Sequence, residues 1–153
     1  MATFHASPWV ATANGLRREL SEVYCEGGVT QLQHLLEHCL AQHPDSASLK
    51  AIIFVGDAVE EDANVLNDLA VRCRLAKRPL YIFQEGSDAV ASSTFASMAA
   101  LSGGVHFTLG DDSADQLRRL LQSVIRLATG GRKALESSAH ESDKLLLEKL
   151  ARS

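Results

Sequence analysis

Two short segments of this sequence carry oxygen ligands of the kind that bind a hard cation. The first is Gly27-Gly28-Val29-Thr30-Gln31, which opens a helical pattern and offers the hydroxyl of Thr30. The second is Ile52-Ile53-Phe54-Val55-Gly56-Asp57, an apolar strand that ends in a carboxylate. Mg²⁺ and Mn²⁺ prefer such donors. We therefore take Thr30 and Asp57 as candidate metal ligands, beside the plainer interpretation that they are an N-cap and a turn residue.

A second candidate is His34-Leu35-Leu36-Glu37-His38, which has the spacing of an inverted zinc-peptidase motif. Two histidines four residues apart on a helix can share a metal ion. Both histidines lie outside the apolar stripe of that helix, which consists of Leu32, Leu35, Leu36, Cys39 and Leu40. We therefore expect both histidines to be exposed. A metal-dependent hydrolase that uses His34, Glu37 and His38 is kept as the alternative to a protein that only binds a partner.

A third hypothesis concerns residues 26–30 as a loop that holds phosphate or a nucleotide at a helix N-terminus, where free N–H groups favour an anion. The segment has no Gly-Lys-Thr and no G-x-G-x-x-G, and Glu26 would repel the ligand.

Ser92, Ser93 and Ser97 lack the spacing of a nucleophile elbow, so the sequence does not indicate catalysis by a serine nucleophile.

Composition limits the functional classes. A chain of 153 residues, of which 46% are hydrophobic, is the size of one domain. Its net charge of −4 argues against nucleic acid as a partner. No apolar run is long enough to cross a bilayer, and Cys25, Cys39 and Cys73 form no C-x-x-C pair. We expect reduced thiols and a cytoplasmic protein without membrane contact.

Helices and short apolar strands alternate along the chain, which predicts βαβ units and a parallel sheet. The predicted strands span residues 49–55, 79–83 and 105–109, and the first reads as covered on both faces. The predicted helices span residues 8–25, 60–77 and 89–101. Two more are predicted, one that carries Leu32 to Leu40 and ends at His43-Pro44, and one that is capped by residues 111–113 and ends at Gly130-Gly131. Ser7 is the expected N-cap of the first helix. Glu60 and Glu61 are expected only to favour the dipole of their own helix.

The last helical pattern closes at Gly130-Gly131. We divide the chain into an α/β domain over residues 1–131 and a charged helical tail over residues 132–153, which carries Leu145, Leu146, Leu147 and Leu150. His106 lies in the third strand and is expected to be a hydrogen-bonded core or strand-end histidine.

The order of these segments resembles the von Willebrand factor A domains, in particular the stand-alone bacterial proteins. The resemblance covers about residues 4–131. It rests on the G-G-x-T-Q segment, on the strand that ends in Gly56-Asp57, on Leu80-Tyr81-Ile82-Phe83 before Glu85-Gly86, and on Ser102-Gly103-Gly104. It implies a Rossmann-like, doubly wound sheet with a metal-ion-dependent adhesion site. It also implies binding of protein partners without catalysis, with Thr30 and Asp57 as ligands of Mg²⁺ or Mn²⁺.

The sequence departs from this family at its amino end. Such domains begin with a buried strand and an Asp-x-Ser-x-Ser loop, and this chain contains no D-x-S-x-S. We therefore expect a fold truncated at its N-terminus, in which residues 52–55 form an edge that is open to self-association or to a protein partner. Three explanations stay open: a start upstream of Met1, a partner that supplies the strand, or a degenerate remnant.

Overall fold

In the part of the chain that the structure describes, the sheet consists of three short parallel strands in chain order. The computed structural model describes residues 4–23, 30–42 and 49–152. Within these ranges the strands are β1 (Ile52–Gly56), β2 (Leu80–Gln84) and β3 (Val105–Thr108). Residues 53, 81 and 105 lie side by side in the register of the sheet. The predicted α/β class and the parallel sheet are therefore confirmed.

Helices pack on both faces of this sheet. In the described ranges they are α1 (Ala13–Ser21), α2 (Leu32–Ala41), α3 (Ala63–Leu75), α4 (Ala89–Ser102), α5 (Ser113–Glu136) and α6 (Glu141–Ala151). Alternate residues of a strand point to opposite faces. Leu80 and Ile82 pack with residues of α2, α3 and α4, while Tyr81 and Phe83 pack with residues of α5 and α6. This three-layer arrangement is consistent with a Rossmann-like fold.

The expectation that β1 is covered on both faces is wrong. Ile52 is buried, but Ile53 and Val55 are 40% and 45% exposed. They share a face with Tyr81 and Phe83 of β2, which are buried beneath α5 and α6. The layer formed by α5 and α6 covers β2 and β3, so among the described residues it leaves this face of β1 uncovered.

A close approach between β2 and the start of β3 depends on glycine. Gly103 ends α4 with a φ of +83°, a left-handed conformation that other residues rarely adopt. A Cβ on Gly104 would lie 1.9 Å from the carbonyl oxygen of Leu80. Only a residue without a side chain fits there, and this is how the chain turns from α4 into a strand beside β2.

Two helices begin later than predicted. The N-cap of α1 is Thr12, whose hydroxyl accepts a 3.0 Å hydrogen bond from the backbone N–H of Gly15, so the predicted start next to Ser7 is wrong. The N-cap of α3 is Asp62, whose carboxylate accepts a 2.7 Å bond from the N–H of Asn64. An N-cap satisfies N–H groups that have no partner inside the helix, and Thr12 and Asp62 are the residues placed to do so.

The C-terminal residues complete the second helical layer. Gly131 has a φ of +70° and kinks α5 where the sequence predicted its end. Beyond the kink, Leu135 is fully buried, as is Leu146 of α6. Both belong to the core that also contains Phe83. Part of the cover over the sheet therefore comes from residues 132–152.

An ion pair joins α6 to α5. Arg126 donates two hydrogen bonds of 2.7 and 2.8 Å to Asp143, whose side chain has no exposed area. Burial alone would raise the pKa of Asp143. Hydrogen bonds from Arg126, Ser123 and Ser138, together with the Arg126 charge, outweigh burial and hold this pKa well below its usual range. Asp143 therefore stays ionised in the folded protein.

Replacement of Asp143 by alanine should lower the free energy of unfolding by about 2 kcal/mol, because it removes a buried carboxylate that accepts two hydrogen bonds from Arg126, whose own side chain is 33% exposed. The matched control is Glu136→Ala, which removes an exposed pair with Arg132 and should cost less than about 1 kcal/mol. Urea denaturation of both variants gives the comparison. Equal effects would contradict the assigned role of Asp143.

The ion pair between Arg126 and Asp143 makes the free energy of unfolding depend on pH. The folded pKa of Asp143 lies below the unfolded value, so its contribution to stability is present above the unfolded pKa, about 3.9. That contribution is lost as the pH falls through the lower folded pKa. Wild type should therefore lose its stability advantage over Asp143→Ala at acid pH.

Candidate functional site

The loop after β1 reaches back to the segment that precedes α2. The Glu60 carboxylate accepts hydrogen bonds from the backbone N–H of Thr30 at 2.9 Å and from its hydroxyl at 2.5 Å. The Thr30 hydroxyl also lies 3.2 Å from the carbonyl oxygen of Ala58. Hydrogen bonds from the Thr30 side chain, and then from its backbone, lower the pKa of Glu60. Three oxygen atoms from three residues therefore lie together at the carboxyl end of β1.

Glu61 caps α2 from outside the helix. Its carboxylate accepts hydrogen bonds from the N–H groups of Leu32 at 3.1 Å and Gln33 at 2.7 Å. The residue at the N-cap position, Gln31, makes no capping bond of its own. The expectation that Glu60 and Glu61 serve only their own helix is therefore wrong, because α3 begins after them. It is also Gln31, not Thr30, that occupies the N-cap.

The opposite end of α2 is held by a cation. Arg78 lies between α3 and β2 and is nearly buried. Its guanidinium donates to the carbonyl oxygen of Cys39, and at 3.1 Å to that of Gln42. A negative charge at the N-terminus of a helix and a positive charge at its C-terminus both match the helix dipole. The β1–α3–β2 unit therefore fixes α2 at both ends.

The two predicted metal ligands have different surroundings. The hydroxyl of Thr30 is bonded to Glu60, whereas the side chain of Asp57 is exposed at the end of β1. Gly27 and Gly28 of the first segment lie outside the described residues. Within residues 4–23, 30–42 and 49–152, no group of three or more His, Cys, Asp or Glu side chains is arranged to hold a metal ion. A cation at Thr30 and Asp57 stays a prediction.

The histidine pair on α2 is exposed, as the apolar stripe predicted. The ring of Phe4 lies 6.1 Å from the ring of His34 and 5.6 Å from that of His38, measured between centroids. Glu37 accepts a 2.9 Å hydrogen bond from the Gln33 side chain on the same helix. The hydrolase hypothesis stays a prediction, and so does the phosphate loop, since residues 26–29 lie outside the described ranges.

A polar cluster around the buried side chain of Gln84, the last residue of β2, was not predicted. The side chain of Gln84 is fully buried, and its oxygen accepts hydrogen bonds from Ser92 at 3.0 Å and from Nε2 of His106 at 2.8 Å. Its amide nitrogen donates to the carbonyl oxygen of Asp88 at 3.3 Å. Burial, and then the charge of Lys149, lower the pKa of His106. The expectation of a hydrogen-bonded strand histidine is confirmed.

The partners of Gln84 also fix how His106 is protonated. Because the Gln84 oxygen is an acceptor, Nε2 of the neutral imidazole must be the nitrogen that carries the proton. The sequence signal for this cluster was a lone glutamine directly after the apolar run of β2. Ser92, which lacks the spacing of a nucleophile, instead donates a hydrogen bond to Gln84.

The two edges of the sheet differ. At the outer edge of β3, Lys149 donates a 3.4 Å hydrogen bond to the carbonyl oxygen of His106, and its ammonium lies 5.4 Å from the ring centroid of Phe107. On the side of β1 that faces β2, the N–H of Ile52 donates a hydrogen bond to the carbonyl oxygen of Pro79, and the carbonyl oxygen of Gly56 accepts one from the N–H of Glu85. Alternation along the strand then turns the N–H and C=O groups of Ile53 and Val55 outward. In the described part of the chain, β1 therefore forms an open edge, whereas Lys149 covers part of the edge of β3.

Comparisons with known proteins add no relative: no family model, no curated protein and no solved structure matches this chain. The resemblance to von Willebrand factor A domains therefore stays a hypothesis. Within the described ranges, no helix combines the length and the apolar character that a bilayer crossing requires.

The contact between Thr30 and Glu60 can be tested by carboxyl titration. Thr30→Val removes the hydroxyl donor, so the pKa of Glu60 should rise toward its ordinary value of about 4.3. Thr30→Ser retains the donor and should keep the pKa low. NMR of the side-chain carboxyl carbon measures both. An unchanged pKa in Thr30→Val would contradict this hydrogen bond.

Proposed function

We propose that this chain is a protein-interaction module, related in its fold to von Willebrand factor A domains, that binds its partner along the open edge of β1. The observation that carries the proposal is the exposed pair Ile53 and Val55 on a strand whose outward backbone groups have no partner among the described residues. An open strand edge binds an extended segment through main-chain hydrogen bonds, and neighbouring apolar side chains add affinity.

The contrast with β3 supports this choice of edge. A long cationic side chain at a strand edge is a recognised means of preventing strand addition. Lys149 occupies that position on β3. On β1, β-branched side chains lie beside the outward backbone groups, and such residues pair well across neighbouring strands. We propose no catalytic reaction for this chain.

We propose a cytoplasmic location. The thiols of Cys39 and Cys73 are free. Burial raises the pKa of Cys39, and it raises that of Cys73 to about 11, so both remain protonated at neutral pH. Unpaired thiols accord with a reducing compartment.

The adhesion hypothesis also includes a cation, and the oxygen atoms that would bind it can be named. The Thr30 hydroxyl and the Ala58 carbonyl are oxygen donors suited to Mg²⁺ or Mn²⁺, and Asp57 follows β1 directly. In the described arrangement the Thr30 hydroxyl already donates a hydrogen bond to Glu60. A bound cation would therefore have to retain Glu60 as a ligand or replace its hydrogen bond. It would supply an open coordination position for a carboxylate of the binding partner.

Thermal denaturation with chelator, Mg²⁺, Mn²⁺ and Zn²⁺ tests the cation. A ligand that binds only the folded state stabilises it by about 2.7 kcal/mol at a hundredfold excess over the dissociation constant. If Thr30 and Asp57 hold Mg²⁺ or Mn²⁺, the melting temperature should rise, and Thr30→Ala and Asp57→Ala should each abolish the rise. His34→Ala is the matched control and should leave it intact. No shift with any ion would remove the cation from the proposal.

Hydrogen exchange in dilute solution tests the edge itself. The amides of Ile53 and Val55 should exchange much faster than that of Ile82, because those of β1 point outward and the strand of Ile82 lies between two others. Exchange of Ile53 and Val55 as slow as that of Ile82 would show that the edge is closed within the monomer. That result would overturn the proposal.

A further inference from the structure

We propose that the partner of the β1 edge is a second copy of this chain, bound by antiparallel pairing of the two β1 strands about a two-fold axis. This inference rests on the proposed use of the β1 edge and names what occupies it. The result joins the three described strands of each copy into one continuous sheet. Symmetric pairing of this kind presents the same surface patch on both copies.

The register follows from the backbone. In an antiparallel pair, the two residues of a hydrogen-bonded pair exchange both of their bonds. The outward groups of β1 belong to Ile53 and Val55, so Ile53 of one copy must lie opposite an outward-facing residue of the other. If Ile53 of one copy lies opposite Val55 of the other, all five residues of Ile52–Gly56 are paired. A shift by two residues in either direction retains the hydrogen-bonding pattern but leaves part of the strand unpaired.

The exposed side chains agree with this register. Ile53 and Val55 lie on the same face of the sheet as α5 and α6, which cover that face at β2 and β3 but not at β1. A two-fold axis perpendicular to the sheet keeps that face on the same side in both copies. Ile53 of each copy then contacts Val55 of the other, and directly opposite β-branched residues stabilise an antiparallel pair. The uncovered part of β1 becomes a small apolar patch shared by the two chains.

Charge decides the direction of the pairing. Lys50 precedes β1 and is exposed, whereas the loop that follows β1 carries Asp57, Glu60, Glu61 and Asp62. Antiparallel strands place Lys50 of each copy near the acidic loop of the other. Parallel strands would place the acidic loops of the two copies side by side, where their negative charges would repel each other. The sequence around β1 therefore complements a reversed copy of itself.

Sedimentation velocity and hydrogen exchange of the full chain test the inference together. The paired area is small, so the weight-average mass should rise toward that of a dimer only between about 10 μM and about 1 mM protein. Over the same range, exchange at Ile53 and Val55 should slow, and exchange at Ile82 should not change. A chain that stays monomeric while Ile53 and Val55 exchange rapidly overturns self-pairing and leaves the proposed function intact. Slow exchange of both amides in the monomer overturns both.

Variants at one outward position locate the interface. Val55→Pro removes an N–H that points away from β2, so the β1–β2 hydrogen bonds remain while pairing with a second copy is blocked. Val55→Thr keeps the N–H and the β-branched shape and is the matched control. We expect a monomer at every concentration for Val55→Pro and unchanged dimerisation for Val55→Thr. A dimer that persists in Val55→Pro, with a melting curve like that of wild type, would place the interface elsewhere.

The orientation has its own test. Lys50→Glu places a negative charge beside the acidic loop of the other copy, so dimerisation should weaken at least about tenfold at low ionic strength, while Lys50→Arg should not change it. Equal dimerisation of the two variants would contradict the antiparallel arrangement.

Discussion

The central strand β2 is buried on both faces, and the rest of the structure follows from that constraint. Leu80 and Ile82 need one apolar layer and Tyr81 and Phe83 need another. A parallel sheet obtains such layers from helices. Here the crossover helices α3 and α4, together with α2, form the first layer, and the chain after β3 forms the second from α5 and α6. The second layer is wide enough for β2 and β3, and this is why β1 retains an exposed face.

Each layer has a helix that is fastened by charge as well as by apolar packing. In the first layer, Glu61 and Arg78 bind the two ends of α2, and Glu60 binds Thr30 just before it. In the second, Arg126 binds the buried Asp143 of α6. These contacts join segments far apart in sequence, so they restrict how each helix lies on the sheet. The acidic loop after β1 therefore has a structural role, and any cation at Thr30 must form within that network of hydrogen bonds.

The sequence alone predicted the class of the fold because its strongest signals are local. Three short apolar runs separated by helical patterns require parallel strands, and the stripe on α2 correctly placed His34 and His38 on the surface. Helix starts were less predictable because capping depends on which polar side chain reaches free N–H groups. Glu60 and Glu61 look like the first turn of α3, but Asp62 caps that helix. The bonds of Glu60 and Glu61 to residues 30–33 depend on tertiary contacts that no spacing in the sequence encodes.

The exposed face of β1 could not be predicted from its residues. An apolar run without polar alternation predicts burial on both faces, and Ile53 and Val55 fit that pattern as well as Tyr81 and Phe83 do. What separates the two pairs is the width of the helical layer above them, which is a property of the whole fold. Neighbouring apolar side chains that are exposed to solvent are typical of surfaces that bind another chain. In β1 such side chains coincide with outward backbone groups, whereas Lys149 covers part of the other edge of the sheet. The two features together favour strand pairing over simple exposure as the role of β1.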